Sequence, residues 1–257
     1  IGSNVTLLPL HHPSWIAKQW GTLDTFSKGR SIITIGPGGE YPKQFDAFSQ
    51  KVEERGKRTD ECIEVMKNLW TEPVSNYNGR FYQFEGIVME PKPLTKPHPP
   101  IWVGGRPGGI QFDTEGNRSY KSKTAAIKRA ALYGDGWCPY YMTLDTFPQS
   151  VKLVKEMAQE AGRDISHMVW AYNAHLWIRD SYEEALQAAA GTQRYGRDLA
   201  NRIEGYDILG NTKDIIGRIE KFVDVGVENL VLHVNSPDGQ LDDHLKILAT
   251  EIMPHFK

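Results

Sequence analysis

The sequence lacks several features that would assign it to a particular class of protein. No run approaches the length of about 18 apolar residues that a membrane-spanning helix needs, and no basic segment precedes the apolar residues at its start, as a secretory leader requires. The 30 basic and 32 acidic side chains nearly balance and are scattered along the chain, so no basic stripe is available to follow a phosphate backbone. We therefore expect no membrane segment and no nucleic-acid partner.

Cysteine is scarce as well. Cys62 and Cys138 are far apart and fit no zinc-binding or redox spacing, which predicts reduced thiols and a cytoplasmic protein. The sequence has no HExxH motif, no nucleophilic serine elbow and no GxGxxG fingerprint. We therefore expect no metal site, no serine-based hydrolysis and no classical nicotinamide-binding turn.

What the sequence does contain is a repeated alternation of strand-like and helical segments. Apolar or β-branched runs predict strands at 1–8, 31–35, 101–103, 167–178 and 229–234, and residues 134–141 predict a turn followed by a strand. Amphipathic or capped stretches predict helices at 15–26, 52–70, 123–133, 147–161, 183–190, 211–225 and 241–252. Strands that alternate with helices are joined by crossovers and run parallel, so the fold class is α/β, either a doubly wound sheet or a barrel.

The length of 257 residues, with 40% apolar side chains, suits a single α/β domain over residues 1–257. One excursion from this domain is predicted at about 75–91. There Asn78 and Gly79 separate two runs of aromatic and β-branched residues, which is the strongest short signal for a β-hairpin.

Glycine-rich turns follow the second and third predicted strands, at 36–40 and 104–109. In parallel α/β proteins ligands bind at the carboxyl ends of the strands, and glycine lets the backbone approach an anion or a flat ring without a Cβ in the way. The turn GGRPGG, which contains Arg106, is our first candidate for a phosphate or coenzyme-tail site. An ordinary flexible turn is the alternative.

Three residues are candidates for acid–base chemistry. His11, beside His12, lies at a strand-to-helix turn, where a histidine acts either as an acid–base group or as a helix cap. Glu40 is the carboxylate directly on a strand-end glycine turn, with a solvated loop residue as the alternative. His175, like His233, alternates with apolar neighbours within a strand, and therefore either lines a pocket or is buried against helices.

Several segments occur in an order typical of one known family. They are IGSNVTLLPLHHPSWIAKQWGTLDTFSKGRSIITIGPGG at the start, then EERGKRTDECIEVMKNLW, GRFYQFEG, PKPLTKPHPPIWVGG and AALYGDGW, and they extend to about residue 140. On these segments the sequence resembles the bacterial luciferase-like family of flavin- and deazaflavin-dependent oxidoreductases. The resemblance implies a (β/α)₈ TIM barrel with reduced FMN, or the 5-deazaflavin coenzyme, at the carboxyl ends of the strands.

The resemblance also implies roles for individual residues. Asn4 and Val5 occupy the position at which members carry a non-proline cis peptide bond that supports the coenzyme ring. Gly36 and Gly38 match the turn beneath the ring, and the next glycine turn matches the one that takes the phosphate or tail. The implied coenzyme-binding residues are Asn4, Val5, Gly36, Gly38, Gly104, Gly105 and Arg106.

Two departures from the family pattern are visible. The sequence begins at what resembles the third strand, so the first two βα units are absent from this chain and we expect the natural protein to be longer or to have lost them. The loop at 111–123 is longer than is typical of the family, which predicts either a lid over the coenzyme or a disordered segment.

The function implied is that of a monooxygenase that uses reduced FMN and oxygen on a small organic substrate. The alternatives are a hydride-transfer oxidoreductase that uses the 5-deazaflavin coenzyme and a non-catalytic relative that binds flavin. We expect the protein to form a homo-oligomer, a dimer in particular.

Overall fold

The computed structural model describes residues 1–108, 110–112, 118–120, 124–191 and 203–256. The chain divides into two compact units. The first unit comprises Ile1–Trp137 and Val154–Met168, and the second comprises Cys138–Leu153 and Val169–Lys257. The single domain over residues 1–257 stays a prediction.

The first unit contains strands and helices in alternation. Its strands are β1 (Gly2–Leu7), β2 (Ile32–Gly36), β3 (Ser75–Asn78), β4 (Gln83–Ile87), β5 (Ile101–Gly104), β6 (Ile110–Phe112) and β7 (Arg118–Tyr120). Its helices are α1 (Pro13–Ser27), α2 (Lys43–Asp46), α3 (Arg55–Thr71) and α4 (Ala125–Tyr133), with 3₁₀ turns at Leu8–Leu10 and Val52–Glu54. Strand β8 (Gly136–Cys138) and helix α5 (Thr146–Glu160) contribute residues to both units.

The second unit continues the same alternation. Its strands are β9 (Val169–Ile178), β10 (Ile208–Gly210) and β11 (Asn229–Val234), and its helices are α6 (Tyr182–Ala190), α7 (Ile203–Tyr206), α8 (Thr212–Asp224) and α9 (Leu241–Ile247). A π-helical turn at Leu248–Ile252 and a 3₁₀ turn at Met253–Phe256 follow. The predicted helix at 241–252 is thus correct in place, but its last five residues have π-helical geometry.

The core strands that alternate with helices pair in parallel, as that alternation predicts. In the first unit β2 lies between β1 and β5, with Thr6 paired to Ile35 and Ile35 paired to Val103. In the second unit β9 pairs with both β10 and β11. Ile33 and Ile35 of β2 and Ile101 and Val103 of β5 are fully buried, which is typical of parallel strands covered on both faces. The predicted α/β class is confirmed.

The predicted tally of six core strands was too low, because it omitted β10. This strand has three residues and aligns with Leu176–Ile178 of β9. A segment this short is too brief to show the alternation of apolar and polar residues by which a strand is detected in a sequence. Only its pairing with β9 identifies it.

Local signals set the helix ends. Pro13 is the first residue of α1, and the imidazole Nδ1 of His12 caps that helix by accepting a hydrogen bond from the backbone N–H of Ser14 at 3.3 Å. Ser181 caps α6, and Asn211 caps α8 in a reciprocal capping box with Asp214.

A β-hairpin, formed by β3 and β4, occupies the predicted position. Asn78 pairs with Gln83, so residues 79–82 form the connecting loop. The carboxylate of Glu61, on α3, accepts the backbone N–H groups of Arg80, Phe81 and Tyr82 at 3.1, 2.8 and 2.8 Å. Charged acceptors make stronger hydrogen bonds than neutral ones, so Glu61 fixes the hairpin loop against α3.

Candidate coenzyme site

The predicted coenzyme-binding residues of the first unit come from three adjacent strands. Leu7 of β1 pairs with Gly36 of β2, and Ile35 of β2 pairs with Val103 of β5. This register brings the second half of β1 and the two glycine turns to the same edge of the parallel sheet. The peptide bond between Asn4 and Val5 is cis, as the family resemblance implies for this position.

Asn4 has a buried side-chain nitrogen that makes no hydrogen bond within the described residues. Its Nδ2 is buried and has no hydrogen-bond partner among the residues that the structure describes. The neighbouring hydroxyls are engaged, because Thr6 donates to Ser3 at 2.8 Å and Ser3 donates to the carbonyl of Thr34 at 3.4 Å. A buried donor without a partner costs about 1–3 kcal/mol, so an acceptor bound beside Asn4 would relieve this cost.

The first glycine turn lies directly against β1. A Cβ on Gly36 would stand 3.1 Å from Cγ2 of Val5, and a Cβ on Gly38 would stand 3.3 Å from Cδ1 of Leu7. Gly38 also has a φ of +63°, which favours glycine. The Val5 side chain is 45% exposed, so an apolar surface lies open next to this turn.

A buried tryptophan makes a hydrogen bond to the backbone of the second glycine turn. Gly105 has a φ of +104°, and its carbonyl accepts a hydrogen bond from the Nε1 of Trp137 at 3.0 Å. Trp137 is fully buried, and a Cβ on the preceding Gly136 would stand 2.4 Å from Cδ1 of Trp102. The segment AALYGDGW therefore positions the turn at Gly105, a role that its sequence did not reveal. Gly109, at the end of this turn, lies outside the described residues.

Arg106 and Glu40 lie on the two glycine turns and are both partly buried. The guanidinium of Arg55 covers the first turn, because a Cβ on Gly39 would stand 2.5 Å from its Nε. Burial lowers the pKa of Arg55, against the opposing effect of Glu53. The site therefore has cationic groups near both turns, which suits an anionic ligand.

The two adjacent histidines have different environments. His11 is exposed, and its backbone N–H donates to the carbonyl of Leu8 at 3.0 Å. His12 caps α1, and its ring meets that of Tyr82 edge-on at 5.3 Å. His12 also lines a cavity of about 410 Å³ with the aromatic residues of the hairpin, and the predicted coenzyme-binding residues take no part in its lining.

His175 belongs to a polar cluster in the second unit. It is paired in register with His233, and the two rings are 5.1 Å apart. Its Nδ1 lies 3.2 Å from Nδ2 of Asn235, and its Nε2 lies 3.5 Å from the hydroxyl of Tyr141. The sequence places His175 and His233 within two separate predicted strands, and the register of β9 and β11 brings them side by side.

Two features are absent from the described residues. None of the helices in that part of the chain has the length and apolar character needed to cross a bilayer. Within the same residues there is no group of three or more histidine, cysteine, aspartate or glutamate side chains suited to holding a metal ion.

Comparison with known proteins identifies the family that this sequence resembles. Residues 1–111 match the family model described as luciferase-like monooxygenase, which confirms the resemblance. The FMNH₂-dependent dimethylsulfone monooxygenase of Pseudomonas putida is 29% identical over 67% of this chain and 43% of its own length. The oxygenase component of the flavin-dependent trigonelline monooxygenase of Acinetobacter baylyi is 36% identical over 44% of this chain and 31% of its own length. The chain thus spans less than half the length of these curated relatives.

Solved structures show the fold. An F420-dependent secondary alcohol dehydrogenase matches 100% of this chain and 79% of its own with a TM-score of 0.80 and 19% identity. A monooxygenase from Streptomyces bottropensis matches 100% of this chain and 78% of its own with a TM-score of 0.77 and 20% identity. The fold is therefore of the luciferase-like barrel type, as the sequence resemblance implies.

Proposed function

We propose that this protein is a luciferase-like monooxygenase that uses reduced FMN and oxygen on a small organic substrate. Relatives that match the chain are named as FMNH₂-dependent and flavin-dependent monooxygenases, which supports this proposal. The observation that carries it is the buried Nδ2 of Asn4, which has no partner among the described residues and lies on the strand next to Gly36. This donor suits a polar acceptor on the edge of a bound ring.

The residues of the first unit would hold the coenzyme in two parts. Asn4, Val5, Gly36 and Gly38 would contact the ring, since they combine an unused amide, an open apolar side chain and two positions without a Cβ. Gly104 and Gly105, with the charge of Arg106, would bind the phosphate through backbone N–H groups. Trp137 would act on this second part indirectly, by fixing the carbonyl of Gly105.

When bound, reduced FMN supplies the two electrons with which one oxygen atom of O₂ enters the substrate and the other leaves as water. The protein's own contribution is to bind and orient the reactants and to exclude water. His175 lies in a polar cluster with His233 and Asn235, and we propose that it binds the substrate. His11 and Glu40 stay predictions.

A binding experiment tests this proposal. Purified protein is titrated under anaerobic conditions with reduced FMN and, separately, with the reduced 5-deazaflavin coenzyme, and bound coenzyme is measured by equilibrium dialysis. We expect saturable binding of reduced FMN. Preferential binding of the deazaflavin coenzyme would favour the hydride-transfer alternative, and binding of neither would overturn the proposal. Binding of FMN without substrate oxidation across a panel of small organic compounds would favour the non-catalytic alternative.

We also propose a homodimeric assembly and a cytoplasmic location. The two cysteines support a reducing environment, because both are buried free thiols and burial raises the pKa of Cys62 and of Cys138 to about 12. Light scattering after size-exclusion chromatography tests the dimer, and a mass equal to one chain would contradict it.

A further inference from the structure

The side-chain amide of Asn235 lies between two backbone carbonyls and the ring of His175. The Nδ2 of Asn235 lies 2.8 Å from the carbonyl oxygen of His233 and 3.4 Å from that of Leu176. Carbonyl oxygens only accept hydrogen bonds, so the amide nitrogen, and not the amide oxygen, must face them. The same nitrogen therefore donates to Nδ1 of His175, 3.2 Å away.

The position of Asn235 is itself anchored by the sheet. Val234, the last residue of β11, pairs with Leu176 of β9, and the backbone N–H of Asn235 donates to the carbonyl of Leu176 at 2.8 Å. The backbone of Asn235 is thus anchored to β9, the strand that carries His175. This arrangement makes it a fixed donor to the imidazole.

A neutral imidazole has one N–H and one lone pair. Since Nδ1 of His175 accepts from Asn235, its lone pair is engaged and the hydrogen is on Nε2. The hydroxyl oxygen of Tyr141 lies 3.5 Å from this nitrogen. Tyr141 has a φ of +49°, a conformation that is uncommon for a tyrosine, and its ring is stacked on His175 at 6.0 Å.

We propose that Asn235 is a positioning residue that holds His175 as an Nε2–H donor, so that His175 donates a hydrogen bond to an oxygen atom of the substrate and does not act as a general base. The part that concerns substrate rests on the proposed function. The chemistry expected of the ligand follows from the donor: it carries a carbonyl, sulfonyl or anionic oxygen.

The tautomer can be measured directly. Protein labelled with ¹⁵N-histidine is studied without coenzyme by long-range ¹H–¹⁵N NMR, at a pH where the ring is neutral, and His175 is assigned by the signal lost in His175→Gln. We expect the Nε2–H tautomer in the wild-type protein. A predominant Nδ1–H form would overturn the proposal, and this outcome does not depend on any variant folding.

Two variants separate positioning from structural support. In Asn235→Leu we expect the ratio of Nε2–H to Nδ1–H forms to fall about tenfold, because the donor to Nδ1 is lost. In the control Tyr141→Phe, which removes the hydroxyl but keeps Asn235, we expect the Nε2–H form to persist. An unchanged ratio in a folded Asn235→Leu protein would contradict the proposal. The NMR samples contain no coenzyme, so the tautomer result does not depend on whether FMN binds. Conversely, finding the Nδ1–H tautomer would contradict the role of Asn235 without contradicting FMN binding.

Discussion

The Nε1 of Trp137 donates a hydrogen bond to the carbonyl oxygen of Gly105 at 3.0 Å and thereby ties a fully buried ring to the proposed phosphate-binding turn. The backbone of Gly105 is in a conformation that favours glycine, so the turn needs both a residue without a Cβ and a fixed carbonyl. Stability and coenzyme binding should therefore be coupled at this turn.

Trp137→Phe tests this relationship. The change removes the donor to Gly105 and leaves its carbonyl without that partner, so we expect the free energy of unfolding to fall by about 1–3 kcal/mol and FMN affinity to fall with it. Urea unfolding and FMN titration measure the two effects. Trp20→Phe is the matched control, because the buried Nε1 of Trp20 has no partner in the part of the chain that the structure describes. Equal losses of stability in the two variants would argue against a role for the hydrogen bond.

Asn4→Leu should have opposite effects on the free and the bound protein. The substitution keeps the size of the side chain and removes a buried amide whose Nδ2 has no described partner, so we expect the free protein to be as stable as the wild type or more stable. FMN affinity should fall about tenfold, as expected for the loss of one hydrogen bond. Isothermal titration with reduced FMN measures this change.

Asn68→Leu is the control for this prediction. Its Oδ1 is also buried without a partner among the described residues, but it lies on α3, away from the predicted coenzyme-binding residues in sequence. We expect FMN affinity to be unchanged. A similar loss of affinity in both variants would assign the effect of Asn4→Leu to general destabilisation.

Gly105→Ala should impair both stability and coenzyme binding. Alanine at a φ of +104° is strained, at a cost of about 1–3 kcal/mol, and its Cβ would stand 3.2 Å from Cβ of Ala126. Gly162→Ala is a control with related strain, since Gly162 has a φ of +66° and an open space around its Cβ position. Thermal unfolding should show a loss in both variants, whereas FMN titration should show one only in Gly105→Ala. If Gly105→Ala bound FMN with wild-type affinity, the phosphate would not be bound at this turn.

Burial of His98 predicts a pH dependence of stability. Burial lowers its pKa below the ordinary value of 6.5, and Lys67 and Arg163 lower it further, whereas the carbonyl of Pro99 and the carboxylate of Asp135 raise it. Because the unfolded state takes up the proton first, the stabilising contribution is present above about pH 6.5 and is lost as the pH falls toward the folded-state pKa.

For one such group, the free energy of unfolding changes by at most about 1.4 kcal/mol per pH unit. Urea unfolding of wild-type protein and His98→Gln over the range from pH 5 to 7.5 (roughly the interval that brackets an ordinary histidine pKa) should show a shallower slope in the variant. Part of the slope should remain, since burial also lowers the pKa of His244. Identical slopes would show that His98 makes no contribution.

The sequence by itself determined the order of elements, because helix caps, amphipathic spacing and strand-end glycines act between near neighbours. Pro13 and His12 at the start of α1 are examples of such local signals. The strand β10 was missed for the opposite reason: its three residues form a strand only through their alignment with β9.

The tertiary structure decided which residues of the predicted site act together. Strand register placed Gly36 against Val5 and brought Asn235 to His175, and packing placed Trp137 beneath Gly105. The last contact joins residues that are 32 positions apart. A sequence records which side chains are able to donate or accept, but the partner of each is set by the pairing of distant strands, which no local pattern encodes.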